Sequence, residues 1–315
     1  MKKITKLFKN TTAKILGYID DNKESWINDY LANNFVKSMP LHTTRAEMID
    51  DGTIEKAIGI LTFDGWDVNT MTVIAPYLYE KGIPFTAFVG FNDNDISNMT
   101  SERLAAFHNI IDNYDADVQL YTSQPVSTFE GEANYQEQYL QFKQAYENFM
   151  SFGFDKPRFC AYSGGRHSAI TPSILQKFGI KAARTTNNSI KVNSETDFDY
   201  PSLYLGNANY TNFEKTITSL AKYKVPTFAM THCILSDTVT DEGYNLSEAN
   251  MKSMIDTLAS MQEAGTVTFM NFSQFWDYIH FPHNPALNDR ALIWEGDKKQ
   301  HKYIYTSTGW RELTV

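Results

Sequence analysis

The chain alternates short apolar runs with longer polar stretches that carry apolar residues at helical spacing. The apolar runs lie near residues 57–64, 84–90, 117–122, 158–163, 181–186, 202–206, 226–232 and 267–271. Continuous short runs of this kind predict strands buried on both faces. Between them, residues 68–81, 99–113, 134–152, 171–178, 212–223 and 246–264 read as helices. Two of these have clear ends. Thr171 precedes Pro172 and the pattern stops at Gly179; Ser247 precedes Glu248 and the pattern stops before Gly265. Seven or eight β/α repeats predict an α/β protein with a mainly parallel sheet, either closed into a barrel or doubly wound. Their regularity favours a distorted (β/α) barrel of about seven strands.

The repeats do not fill the chain. Residues 1–55 are polar and helix-prone, and Trp26, Ile27, Tyr30, Leu31, Phe35 and Val36 form one apolar stripe. That pattern predicts an anchor or oligomerisation segment, with further copies of the chain or other proteins as partners. Residues 56–280 hold the repeats. At Phe281-Pro282-His283-Asn284-Pro285 the pattern breaks, and residues 281–315 read as a small β extension, too short to fold alone.

Composition narrows the function. With 315 residues and a net charge of −9, the chain lacks the basic surface that general nucleic-acid binding needs. One basic stretch, Lys2-Lys3-Ile4-Thr5-Lys6-Leu7-Phe8-Lys9, is either a membrane- or partner-touching face or a solvated helix face. No run is long and apolar enough to span a membrane, and Lys9, Asn10 and Lys14 interrupt any signal-peptide core. Cytoplasmic synthesis without general secretory export is the expectation. Cys160 and Cys233 fall on buried strands and read as reduced core residues. There is no P-loop, dinucleotide fingerprint or Gly-x-Ser-x-Gly elbow.

In a parallel barrel, chemistry gathers at the C-terminal ends of the strands. Asp64 ends the first strand, where it is either a helix cap or a site carboxylate. Tyr121 ends the third, Tyr162-Ser163-Gly164-Gly165-Arg166-His167 the fourth, Arg184 the fifth, and His232 the penultimate. Converging Asp, Tyr, Arg and His suit acid–base work on a polar substrate. Gly164 and Gly165 allow a close backbone approach or an unusual φ, and can present N–H groups to an oxyanion. Trp66, Tyr121, Tyr162 and Tyr204 either line a sugar-stacking groove or pack in the core. His42, His108, His280, His283 and His301 follow no ligand spacing.

These motifs resemble the NodB-like polysaccharide deacetylase superfamily, the fold of carbohydrate esterase family four. Thr62-Phe63-Asp64-Gly65-Trp66 echoes the family's Thr-Phe-Asp-Asp-Gly, and Phe159-Cys160-Ala161-Tyr162-Ser163-Gly164-Gly165-Arg166-His167 its third motif. Phe178-Gly179-Ile180-Lys181-Ala182-Ala183-Arg184 follows as in family members, and Phe228-Ala229-Met230-Thr231-His232 echoes the final motif. The resemblance implies Asp64 as catalytic base, His232 as general acid, and Arg184 as a charge partner tuning either of them.

The departures bear on the metal. Gly65 stands at the position of the family's second Asp, and Leu120 and Gln124 at those of its two His ligands. No cofactor is therefore expected, and a zinc site would have to be rebuilt from Asp67 and His167. Residues 297–313 also resemble the β tips of phage tail and baseplate proteins. Together these imply a metal-free protein that recognises cell-wall or surface polysaccharide, virion-associated, with Trp66, Tyr121, Tyr162, Gly164, Gly165, Arg166 and His167 as the binding residues. The other reading is an active hydrolase of amide bonds in acetylated glycans, working through Asp64 and His232.

Overall fold

The computed structural model describes residues 37–38, 54–65, 68–90, 99–122, 135–187, 197–232, 234–235, 246–281, 288, 290–294, 300–307 and 309–313. These fall into two compact units. One lies within residues 42–279; the other combines Lys37–Ser38 with residues from His280 onward. Trp66, Asp67, Gln124 and Cys233, and the apolar stripe Trp26 to Val36, lie outside the described residues.

The strands are β1 (Lys37–Ser38), β2 (Ala57–Asp64), β3 (Phe85–Gly90), β4 (Asp117–Tyr121), β5 (Phe159–Ala161), β6 (Ala182–Arg184), β7 (Leu203–Tyr204), β8 (Thr227–Thr231), β9 (Ile234–Leu235), β10 (Leu246–Ser247), β11 (Val267–Phe269), β12 (Arg290–Trp294), β13 (Gln300–Thr306) and β14 (Gly309–Glu312). The helices of the large unit are α1 (Val68–Glu80), α2 (Ser101–Tyr114), α3 (Tyr135–Ser151), α4 (Thr171–Lys177), α5 (Thr211–Leu220), α6 (Glu248–Glu263) and α7 (Phe272–His280). The expected strands and helices appear within a few residues of their predicted bounds. One helix, α7, goes beyond them. Its Phe272, Phe275, Trp276 and Ile279 are all buried and follow helical spacing.

The large sheet is parallel throughout, in the order β6-β5-β4-β3-β2-β8-β7, with β11 beside the first half of β2. Residues 197–204 carry its curl round. Tyr200 bridges Arg184 of β6, Thr185 N–H donates to Tyr200 O at 2.8 Å, and the same stretch continues into β7, which pairs with β8. The result is the distorted (β/α) barrel that the repeats predict.

Every residue of β2 is buried, so both of its faces need cover. Alternation along the strand supplies two layers. Leu61 and Phe63 face the helices and join a core with Ala87, Val89, Leu120, Cys160, Ala183, Met71, Ile74, Phe107, Phe142 and Leu258. The other face lines the barrel. There Phe159 stacks on Phe272 with centroids 4.6 Å apart, Phe228 meets Phe272 edge-on at 5.1 Å, and Tyr200 stacks on Phe228 at 5.1 Å.

A polar floor closes this aromatic plug. Asp117, at the start of β4, accepts from Thr86 Oγ1 at 2.9 Å, Gln119 Nε2 at 2.7 Å, Ser273 Oγ at 2.8 Å and Ser273 N–H at 3.2 Å. Thr86 Oγ1 in turn accepts from Phe272 N–H at 2.8 Å. A carboxylate and a hydroxyl thus satisfy the free N–H groups at the start of α7.

In the small unit, β12, β13 and β14 form an antiparallel meander, and β1 pairs with β12 in parallel. Tyr305 lies opposite Trp310, and Phe281 stacks on Trp310 at 5.0 Å. The expected C-terminal β material is thus present. Within 1–55, the described Lys37–Ser38 is strand.

Candidate active-site region at the strand ends

Asp64 is the last residue of β2 and points into the barrel, since Phe63 faces the helices. Its carboxylate is 1% exposed. Arg184 ends β6, four strands away in the sheet order, and is 0% exposed. Its side chain crosses the interior to Asp64. Nη2 donates to both carboxylate oxygens, at 2.5 Å to Oδ1 and 2.6 Å to Oδ2. Nη1 donates to Ser202 Oγ at 3.1 Å and Thr185 O at 3.3 Å, and lies 3.0 Å from Met230 Sδ. The Phe88 ring centroid is 5.3 Å from the guanidinium carbon. The pair is therefore enclosed by β2, β3, β6, β8 and the strand-like stretch before β7.

The next layer outward is Tyr121, half-buried at the end of β4. Burial pushes its phenol up first, and the Asp64 carboxylate adds to this. The Ser163 hydroxyl, the Arg184 charge and the Gly164 N–H oppose the rise. The phenol therefore stays protonated, with a hydroxyl and an N–H aimed at its oxygen. His232 follows β8 and is half-buried. The last paired step between the strands is Phe63 with Thr231, so Asp64 and His232 stand side by side, about 4.8 Å apart at the backbone.

No family model matches the chain, and no curated protein matches its sequence. Solved structures match its fold. A putative polysaccharide deacetylase from Mycobacterium smegmatis superposes with a TM-score of 0.51 at 12% identity, over 74% of this chain and 96% of that one. A carbohydrate esterase family four pseudoenzyme from Bacillus anthracis gives 0.48 at 12% identity, over 71% of this chain and 66% of that one. A family 4 carbohydrate esterase from Streptomyces lividans, in complex with acetate, gives 0.43 at 12% identity, over 68% and 91%. The fold is NodB-like.

On the NodB-like barrel the site residues expected from sequence separate into two groups. Asp64, Arg184, Tyr121 and His232 share the interior face at the strand ends. Tyr162 does not. It has the parity of Cys160, is wholly buried in the helix-side core, and its hydroxyl donates to Phe198 O at 3.2 Å. His167 stacks on the Tyr162 ring at 4.5 Å, so it too belongs to the helix side and not beside Asp64. Sequence reading treated both as binding residues; strand alternation places them behind the sheet.

The diglycine turn has the unusual φ and close approach that its sequence allows, but its N–H groups are otherwise engaged. Gly164 and Gly165 have φ of 59° and 72°. Gly165 N–H donates to Tyr162 O at 2.8 Å, Arg166 N–H to Ser163 O at 3.2 Å, and Gly164 N–H approaches the Tyr121 hydroxyl. The Gly165 and Arg166 N–H groups close the turn, and that of Gly164 is turned to Tyr121. Gly165 is needed for space, because a Cβ there would meet Thr186 Oγ1 at 2.2 Å. Arg166 is exposed beyond the turn.

At the positions that resemblance assigned to metal ligands, Gly65 is exposed with φ +68° and brings no side chain. Leu120 faces the helix-side core, so Tyr121 is the β4 residue beside Asp64. Among the described residues, no three His, Cys, Asp or Glu side chains gather as a metal site. Ser202, Met230 and Phe88, which enclose Arg184, escaped sequence reading. Only Phe88 carried a signal, its strand parity with Asp64.

Proposed function

We propose that this chain is a NodB-like protein that recognises polysaccharide at the strand-end face and does not hydrolyse it by metal chemistry. The observation that carries the proposal is the enclosure of Asp64. A metal site needs about three protein ligands of N, O or S type, whereas the carboxylate at the strand ends, Asp64, is engaged by Arg184 through both oxygens. With no side chain on Gly65 and Leu120 turned to the helices, the described residues do not fit a divalent metal.

The same enclosure weighs against the hydrolase reading. A general base must come within hydrogen-bond reach of the water it activates, and Asp64 is 1% exposed. Polysaccharide as the ligand class comes from a neighbour in fold, named a putative polysaccharide deacetylase. Tyr121 supplies a half-buried ring and a protonated hydroxyl, His232 a half-buried imidazole, and Arg166 an exposed cation. Aromatic faces and hydrogen-bond donors are what a sugar ring takes up.

The test is binding of N-acetylated chito-oligosaccharides and peptidoglycan fragments, run beside an acetate-release assay. Binding without acetate, weakened several-fold in Tyr121→Ala, is expected. Turnover abolished by Asp64→Asn would overturn the proposal. For biological setting we propose a phage tail or baseplate, on the ground of the small β unit at residues 290–312. Mass spectrometry of purified particles should detect the chain; its absence there removes the setting and leaves the glycan reading intact.

A further inference from the structure

The small unit differs from the barrel in charge. Residues 1–41 and 280–315 hold 12 basic and 8 acidic residues, while residues 42–279 hold 16 and 29. The net charge is therefore +4 in the first set and −13 in the second. Within the small unit, strand register sorts the charges by face. Arg290 lies opposite Ile304, and Ile304 opposite Arg311. Lys302 is two residues before Ile304, and Leu313 N–H donates to its carbonyl at 2.7 Å. Arg290, Lys302, Ile304, Arg311 and Leu313 thus share one face of the β12-β13-β14 meander. Ala291, Ile293 and Tyr303 share the other, and all three are buried. We propose that the first face is a second binding site of the protein, for a flexible polysaccharide that carries an anion at regular intervals.

Arg290, Lys302 and Arg311 are exposed, and Ile304 is half-buried. By strand spacing the three cationic positions stand about 8–10 Å apart at the backbone. Among the described residues of β12, β13 and β14, no Asp or Glu has the same parity. Glu312 falls on the other face, where its Oε1 lies 2.6 Å from His301 Nδ1. Like charges grouped on one sheet face destabilise it, so the arrangement has a cost that folding alone does not repay. Protection of an open edge does not account for it either. Arg290 and Lys302 stand on the interior strands β12 and β13, and only Arg311 is on the edge strand β14.

The spacing selects the ligand. A single small anion needs donors that converge on it, whereas these three are spread over an open pleat with aliphatic residues between them. A folded partner needs about 800 Å² of surface, while three strands by about five residues offer only on the order of 200 Å². A slender chain with spaced anions meets one cation per repeat and lays its carbon surface on Ile304 and Leu313. The barrel residues, at −13, repel such a polymer, which leaves the small unit to take it. That the carrier is a polysaccharide rests on the proposed function; the charge pattern by itself asks for a polyanion.

The experiment uses the purified full chain, with polygalacturonate, neutral chito-oligosaccharide and phosphatidylglycerol vesicles as probes. The wild type should bind polygalacturonate at low salt and release it as ionic strength rises. Arg290→Gln/Lys302→Gln/Arg311→Gln removes the three charges and should bind it about tenfold more weakly. Its Tm and its binding of chito-oligosaccharide should not change. Lys302→Gln alone, at an exposed position, should show part of the same loss and serves if the triple variant does not fold. Tyr121→Ala should do the reverse, losing the neutral sugar and keeping polygalacturonate. Three results would overturn the proposal: no wild-type binding to polygalacturonate, equal binding by the charge variants, or charge-dependent binding to the vesicles with none to the polymer. Failure to bind chito-oligosaccharide, with polygalacturonate binding intact, removes only the strand-end reading and leaves this site standing.

Discussion

Arg184 meets Asp64 through a single nitrogen: Nη2 reaches both oxygens, while its Nε is buried without a hydrogen-bond partner. A side-on fork would have used Nε and Nη2 together. Here Nη1 is drawn to Ser202 and Thr185, which turns the guanidinium and leaves Nε idle. The group is thus shared among Asp64, Ser202 and Thr185 instead of matched to one carboxylate.

Asp64→Ala strips the carboxylate and leaves that guanidinium buried. Loss of one partner of a buried pair costs about 3–5 kcal/mol. Urea unfolding should report a loss of that order, and a smaller one in Asp64→Asn, whose amide oxygen still accepts.

Gly65 and Gly165 make a matched comparison. Both have positive φ, +68° and +72°, but a Cβ at Gly65 meets nothing within 4 Å while one at Gly165 meets Thr186 N at 2.6 Å. Gly65→Ala should cost only the left-handed backbone penalty, about 1–2 kcal/mol. Gly165→Ala should cost more than that in the same denaturation assay, because the turn must move off Thr186.

Cys160 gives the protein an alkaline weakness. Burial pushes its thiol well above the ordinary thiol range, with only partial relief from the Arg184 charge. The folded state then keeps a proton that the unfolded state loses above about pH 8.5. Its contribution to stability is complete below that pH and falls as pH rises beyond it. Cys160→Ala should flatten the fall in Tm between neutral and alkaline pH. Peptide mapping after alkylation should find Cys160 unmodified in the native protein and modified once it is unfolded.

Asp117 is expected to anchor α7. Asp117→Ala leaves Thr86, Gln119 and the start of α7 without their shared acceptor. A loss of about 2–3 kcal/mol is expected. Hydrogen exchange should show the amides of residues 272–277 losing protection before those of β2.

Much of the barrel was legible because buried parallel strands read as unbroken apolar runs; Ile58 to Phe63 needed no further cue. The site was less so, for reasons of parity and distance. Counting alternation from Asp64 or Cys160 would have sent Tyr162 and Leu120 to the helix side, but the motif matches drew attention to them first. The Asp64–Arg184 bond joins residues 120 positions apart; the resemblance implied Arg184 as a charge partner of Asp64 or of His232, and the hydrogen bonds go to Asp64. Helix α7 had a readable stripe, Phe272, Phe275, Trp276 and Ile279, yet it follows β11 so closely that strand and helix patterns run together.

The order of the strands has a consequence for how the chain is made. β2 is the first strand of the barrel to be synthesised, and it takes β8 on one edge and β11 on the other, from residues 227 and 267 onward. Helix α7, which plugs the floor, comes later still. A ribosome that has produced only the first half of this barrel therefore displays a mostly apolar strand with one edge open, an edge that other chains can pair with until β8 emerges.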